Sequence, residues 1–228
     1  MASLAEQRVF AFWLGDNPMS QRRQESLNSL ERTGAEVVFL TLANINAWIK
    51  PEAPLHPAFE YLTPVHRADY LRTYLMHHHG GGYSDVKPTS ASWLEAFNVL
   101  NSQDWMYGIG SPEKSPHGVA VIGWRRRFYC RNYPWLLGNG FYIFKPDTPF
   151  TRAWYREVVR RLDRLLPALR ESPGRQPKER PGREYDGVVS QYPVRWAYLL
   201  GEIFHPLCYR YRHRLGRTLP PALVRDYE

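Results

Sequence analysis

Cysteine is scarce. The 228-residue chain has two, Cys130 and Cys208, and neither sits in a Cys-x-x-Cys or a mixed Cys/His spacing. That excludes a structural zinc site of the usual pattern. Reduced thiols in a cytoplasmic chain are the expected state, with a single disulfide as the alternative. Long hydrophobic runs are also missing. Nothing reaches the roughly 18 apolar residues of a bilayer-crossing helix. Residues 1–12 carry Glu6 and no extended apolar core, so neither a signal peptide nor an anchor is expected there. There is no internal repeat and no recognisable nucleic-acid-binding motif. The net charge of +8 therefore points first to phosphates or an anionic membrane surface, and nucleic acid ranks last. Aromatics, in contrast, are plentiful, with 8 Trp and 15 Tyr. Such rings fill cores first and stack on sugars or bases second.

The pattern along the chain is that of an α/β protein. Residues 8–14 (RVFAFWL) form an apolar run that reads as a buried strand, closed by Gly15 and Pro18. Ser20 caps a helix that Gly34 stops, and residues 36–41 (EVVFLT) are a second strand. Strand, helix and strand in this order imply a parallel sheet covered by helices. Residues 43–61 wrap the surface. A helix opens at Thr63-Pro64, with proline at its first position, and ends at Gly80-Gly81-Gly82. Strands are expected at 83–86, 105–109, 119–122 and 140–144, and helices at 93–100 and 150–166. Residues 167–183 are rich in Pro, Gly and Arg and read as a mobile surface loop. Residues 185–204 then return to the core. The whole is expected to be a single domain over 1–228, with a flexible loop at about 167–184 and a C-terminal extension.

The helix at 64–79 breaks the amphipathic rule. Projected at about 100° per residue, Val65, Ala68, Leu71, Leu75 and Met76 share one face, and Asp69 and Arg72 fall on it too. A buried charge costs several kcal/mol unless it is paired or meets a ligand. Two readings follow: a structural Asp69–Arg72 pair, or one wall of a polar pocket in which Arg offers a fork of donors and Asp accepts from hydroxyls. Asp85 lies near the end of a short strand, where ligands of open α/β sheets bind and where a carboxylate can hold a phosphate-bridging cation.

The segment Ala68-Asp69-Tyr70-Leu71-Arg72, Leu75, Gly80-Gly81, Tyr83, Asp85 resembles the donor-site signature S-D-x-x-R-x-x-L … G-G-x-Y-x-D-x-D. That signature is found in glycosyltransferase family 32 and capsular-polysaccharide-synthesis-type enzymes, and more remotely in the clostridial glucosylating toxins. Residues 10–15 (FAFWLG) look like the family's first strand, where a Trp, here Trp13, flanks the nucleotide base. Gly138-Asn139-Gly140-Phe141 is similar to its later asparagine-containing segment. The resemblance covers about residues 8–165. It implies a GT-A fold, a mixed but mostly parallel sheet flanked by helices. It also implies a hexosyltransferase-like enzyme that uses a nucleotide sugar, a UDP-sugar foremost, and retains the anomeric configuration. The acceptor would be a glycan or lipid-linked precursor of surface or capsular polysaccharide. Trp13, Asp69, Arg72, Gly81, Tyr83 and Asn139 would bind the donor. Asp85 would hold Mn²⁺ or Mg²⁺, and Asp85 and Lys87 would stand at the reacting centre.

One position departs from that signature. Its second aspartate is replaced, giving Asp85-Val86-Lys87. Three readings stay open: Asp85 alone holds the cation, Lys87 neutralises the leaving diphosphate in its place, or the protein is a catalytically degenerate nucleotide-sugar-binding module. Other residues have plainer readings. His77-His78-His79 point about 100° apart on a helix and do not converge on one ion, so they read as a solvated helix end. Glu113, on a loop, reads as surface charge first and as a residue facing the acceptor second. The arginines at 152, 156, 160, 161 and 164 read as a solvated face which, with the basic segment 209–217 (YRYRHRLGR), could rest on an anionic membrane.

Overall fold

The computed structural model describes residues 3–221. The outermost residues of the expected 1–228 domain, including the first two of the N-terminal reading, lie outside them. A six-stranded sheet organises the chain in the order β2-β1-β3-β5-β4-β8. Its strands are β1 (Arg8–Phe12), β2 (Glu36–Leu40), β3 (Gly81–Ser84), β4 (Gly108–Pro112), β5 (Leu137–Phe144) and β8 (Leu215–Gly216). Strand β1 runs parallel to β2 and β3, β5 is antiparallel to both β3 and β4, and β8 is parallel to β4. Five strands thus point one way and β5 points back. The carboxyl ends of β1, β3 and β4 and the amino end of β5 therefore share one edge, and Trp13, Asp85, Glu113 and Asn139 all fall at it. A two-stranded hairpin, β6 (Glu184–Tyr185) with β7 (Val188–Val189), stands apart from the sheet.

Alternating side chains bury both faces of the sheet. Phe10, Tyr83, Tyr142 and Phe144 pack under α2 (Pro64–His78), α5 (Pro149–Glu171) and α6 (Gly201–Arg210). Val9, Ile109 and Ile143 pack under α3 (Leu94–Ser102), against Trp93, Phe97 and Leu100. The α1 helix (Gln21–Ser29) is capped by Ser20, and Gly34 closes the turn after it with φ of +76°. The remaining helix, α4 (Arg126–Arg131), is short and peripheral. No helix among the described residues is long and apolar enough to cross a membrane.

Several expectations need correction. The α2 helix is buried nearly all round: Tyr70, Thr73 and Tyr74 are as buried as Leu71 and Leu75, because α5 and the 3-10 turn Pro57–Tyr61 cover its second face. Each phenol there is satisfied. The Tyr70 hydroxyl accepts from the His56 N–H, and the Tyr74 hydroxyl accepts from the Lys50 N–H and donates to the Ala53 carbonyl. The three histidines are half-buried rather than solvated. His77 stacks on Tyr155 at 5.1 Å, and burial pushes His78 down to about 4. Residues 119–122 form no strand, since Val119 and Val121 turn inward from a loop. The α5 helix runs through Pro167 to Glu171, so the loop begins later than its composition suggests.

That loop is also tied down. The Gly174 N–H donates to the Tyr61 carbonyl, and a Cβ at Gly174 would lie 2.5 Å from the Thr63 methyl. The Glu179 carboxylate accepts from the Arg175 and Gln176 N–H groups and from the Ser190 hydroxyl. The Tyr192 hydroxyl lies 2.9 Å from His66 Nδ1 on α2.

The turn from α2 into β3 requires glycine. Gly80 has φ of +66°, and a Cβ there would lie 2.5 Å from Pro146 Cδ and 2.9 Å from the Phe144 carbonyl oxygen. Both the backbone conformation and the contact oppose any side chain. Gly80→Ala is expected to cost about 2 kcal/mol or more, read as a lower urea midpoint at unchanged slope.

Candidate functional site

The shared edge of the sheet opens into a cleft of about 640 Å³. Trp13, Asp69, Arg72, Tyr83, Asp85, Lys87 and Asn139 all line it. Gly81 does not. It lies inside β3 with φ of +87°, and a Cβ there would lie 3.0 Å from Arg8 Cγ, so its role here is backbone geometry.

Arg72 is the hub. It is 7 % exposed. Its Nη1 donates to the Asn139 carbonyl at 2.8 Å, its Nη2 lies 3.5 Å from Asp69 and 3.6 Å from Asp85, and its guanidinium sits 4.3 Å from the centre of the Tyr83 ring. Both readings of the Asp69–Arg72 pair therefore hold together: the two are paired, and the pair borders a cavity. Asp69 is 2 % exposed. Burial pushes its carboxyl up to about 7, against the pull of Arg72, and the nearby Asp85 pushes the same way as burial. Burial thus favours the protonated, hydroxyl-donating form of Asp69 to a higher pH than an ordinary carboxyl allows.

Asp85 extends the β3–β5 ladder, its N–H donating to the Gly140 carbonyl at 2.7 Å. One carboxylate oxygen accepts from the Tyr83 hydroxyl at 2.8 Å, and the other lies 3.1 Å from Lys87 Nζ. Burial holds the Tyr83 phenol well above its ordinary value, so it stays a donor. Gly140 makes room for this pair: a Cβ there would lie 3.0 Å from Asp85 Oδ2 and 3.3 Å from Lys87 Nζ.

The residues present do not suit the expected Mn²⁺ or Mg²⁺ on Asp85. Hard dications prefer several oxygen ligands. Both Asp85 oxygens are engaged by donors, with an ammonium and a guanidinium within 4 Å. The other carboxylate, Asp69, is paired with Arg72, and no group of three or more His, Cys, Asp or Glu side chains among the described residues could hold a metal. The lining side chains instead carry four cations, Arg23, Arg72, Lys87 and Lys178, against the two carboxylates Asp69 and Asp85. An excess of positive charge in a concave site suits a phosphorylated ligand.

Two indoles flank the cleft. Trp13 is half-buried, its Nε1 donating to the Asn17 carbonyl at 2.8 Å, which fixes the ring. Trp196 is 41 % exposed and is covered by Arg180 at 4.4 Å from the ring centre. Trp196, Arg23 and Lys178 escaped sequence reasoning. Trp196 sits within an ordinary apolar run, Arg23 on a helix with no special spacing, and Lys178 in the segment assigned to solvent. Only the fold brings them to the cleft. Glu113 needs the opposite correction to surface charge. Its side chain is 16 % exposed, and burial pushes its carboxyl above the ordinary range. The buried His205 Nε2 lies 4.0 Å from it, while His205 Nδ1 accepts from the Ala120 N–H.

No protein-family model matches the chain, and no curated protein matches it. Among solved structures, the chain is similar to one named PaToxG Glycosyltransferase, at 11 % identity and a TM-score of 0.43. The match covers 72 % of this chain and 63 % of that one, so the chain spans less than two thirds of that structure's length. At this level of similarity, the chemistry of the cleft rests on its own residues.

Proposed function

We propose that the protein is a glycosyltransferase of the family 32 and capsular-synthesis kind, taking a sugar from a nucleotide-sugar donor bound in this cleft. The observation that carries the reading is the convergence of Asp69, Arg72, Asp85 and Lys87, residues matching the donor-site signature or standing within it, in one cation-rich cavity flanked by indoles. Trp13 faces the base, Arg72 and Lys87 bind the diphosphate, and Asp69 and Asp85 accept from sugar hydroxyls. In the reaction the bond from the anomeric carbon to the diphosphate oxygen breaks, and a bond to an acceptor hydroxyl forms as that hydroxyl loses its proton. Negative charge grows on the departing diphosphate, and fixed cations beside it lower the barrier. Lys87 supplies on this chain the charge that a second aspartate and its metal would supply elsewhere. Retention, a UDP-sugar donor and a glycan or lipid-linked acceptor are the finer parts of the proposal.

A nucleotide-sugar-binding module without turnover is the second reading, favoured by the 3.1 Å pairing of Lys87 with Asp85, which occupies both groups in each other's charge. A thermal-shift panel of nucleoside diphosphates and nucleotide sugars, run in chelator and again in Mn²⁺, tests the binding. At about 100 times Kd, a ligand adds about 2.7 kcal/mol, roughly 5–10 °C for a chain of this size. We expect one base to stand out, with the shift unchanged by chelator. If no nucleotide moves the transition, the donor reading is lost. A shift without release of sugar to water or acceptor selects the binding module.

A further inference from the structure

Just after Ala120, which lines the cleft, the chain turns apolar side chains outward. Val119 and Val121 are buried, and the Ala120 N–H is held by His205, so the base of the loop is fixed. Its tip then projects: Ile122 is 52 % and Trp124 87 % exposed, with Gly123 at φ of +73° between them. Phe128 on α4 follows at 46 % and Trp135 at 41 %. No other large apolar side chain described is as exposed as Trp124.

Charge singles out the same face. Residues 118–135 contain four arginines and no acid, and residues 203–217 contain four more and again no acid. Packing joins the two segments: Phe128 meets Tyr209 at 4.9 Å, and Arg217 lies 4.5 Å from the centre of the Trp135 ring. Among the described residues none of these eight arginines pairs with a carboxylate. The other arginine-rich surface is partly neutralised. On α5, Arg160 and Arg161 pair with Glu157, and Arg152 pairs with Asp147. Eight arginines without a carboxylate partner among the described residues thus share the face from which the apolar tip protrudes.

We propose that this face, the 122–127 loop with α4 and the basic segment after α6, seats the protein on an anionic lipid bilayer. Indole and aliphatic side chains at a rigid tip enter the headgroup boundary, and arginines around them meet lipid phosphates. A nucleic-acid surface would use the arginines but would leave Ile122 without a partner. The proposal does not depend on the donor reading. Ala120 belongs to both the loop and the cleft lining, so a seated protein opens its cleft close to the membrane plane.

The test is co-sedimentation of the full chain with sucrose-loaded vesicles. One set is neutral phosphatidylcholine, and the other contains about a third phosphatidylglycerol. Binding to the anionic set is expected to exceed binding to the neutral set by about 100-fold or more and to weaken with salt. Replacing Arg125, Arg126 and Arg127 together with Gln is expected to cut it on the order of 100-fold. Trp124→Ala is expected to cut it several-fold at unchanged salt slope. All four side chains are exposed, so an unchanged thermal unfolding midpoint without ligand serves as the folding control. Equal binding to both vesicle sets, or an Arg variant that binds like the parent, overturns the proposal. So does tighter binding to a DNA duplex that is indifferent to Trp124→Ala.

Discussion

Lys87→Ala is expected to lower kcat for sugar transfer by about 100- to 1000-fold while KM for the donor rises less. That is the typical cost of removing one fixed charge or donor aimed at a developing anion. The size follows from the site. Lys87 Nζ lies 3.1 Å from Asp85, beside Arg72, in a half-enclosed cleft where charge is poorly screened. In the proposed reaction, the ammonium gains most of its interaction only as the diphosphate departs, so the loss falls on the transition state rather than on binding. The complementary variant, Lys87→Asp, restores two aspartates two residues apart. It is expected to bind and turn over donor only when Mn²⁺ or Mg²⁺ is added, while the parent protein is indifferent to chelator. Steady-state kinetics of the three proteins, each with and without chelator, decide the matter. A parent that stops in chelator, or a Lys87→Ala variant within threefold of it, removes Lys87 from the phosphate.

Asp69→Asn is expected to separate stability from binding. Burial raises the Asp69 carboxyl from 3.8 to about 7 in the folded protein. As pH rises between those values the unfolded chain releases this proton and the folded chain keeps it, so the parent loses stability through that window and levels off above it. Asn mimics the protonated acid and cannot ionise. Its denaturant-derived stability is expected to be flatter between pH 4 and 7 and to exceed the parent's at pH 8. The same variant loses the acceptor for sugar hydroxyls, so nucleotide-sugar affinity falls while affinity for the bare nucleoside diphosphate is retained. Parallel pH profiles for the two proteins would show that Asp69 keeps an ordinary carboxyl.

Much of this was legible from local signals. Strand β1, helix α2 with its Thr63 cap and Pro64, and the glycine turn after it declare themselves in the sequence because each follows from nearby residues. The helical projection of Asp69 and Arg72 onto an apolar face was enough to mark an inward-facing charge pair. What stayed hidden depends on contacts far along the chain. Strand β8 is two residues long and exists only because β4 offers it an edge. The second face of α2 looks polar, but its tyrosines and threonine are buried by α5, which no period within α2 reveals. Glu113 reads as surface charge because the loop and helix that enclose it are drawn from residues 118 and 205. Lys178 joins the site through a segment whose composition argues for solvent, and Trp196 through an apolar run that reads as plain core.

The segment bearing Lys178 has a further consequence. It is fastened at Gly174 to Tyr61, just before the helix bearing Asp69 and Arg72, and at Tyr192 to His66 within that helix, yet apart from Tyr192 it gives little to the apolar interior. Substitutions along Pro177, Lys178 and their neighbours would leave the fold almost untouched while redrawing one side of the cavity. Under the proposed function, a lineage could retool its choice of acceptor there by exchanging a facing panel, with the frame that carries Asp69, Arg72 and Asp85 kept as it stands.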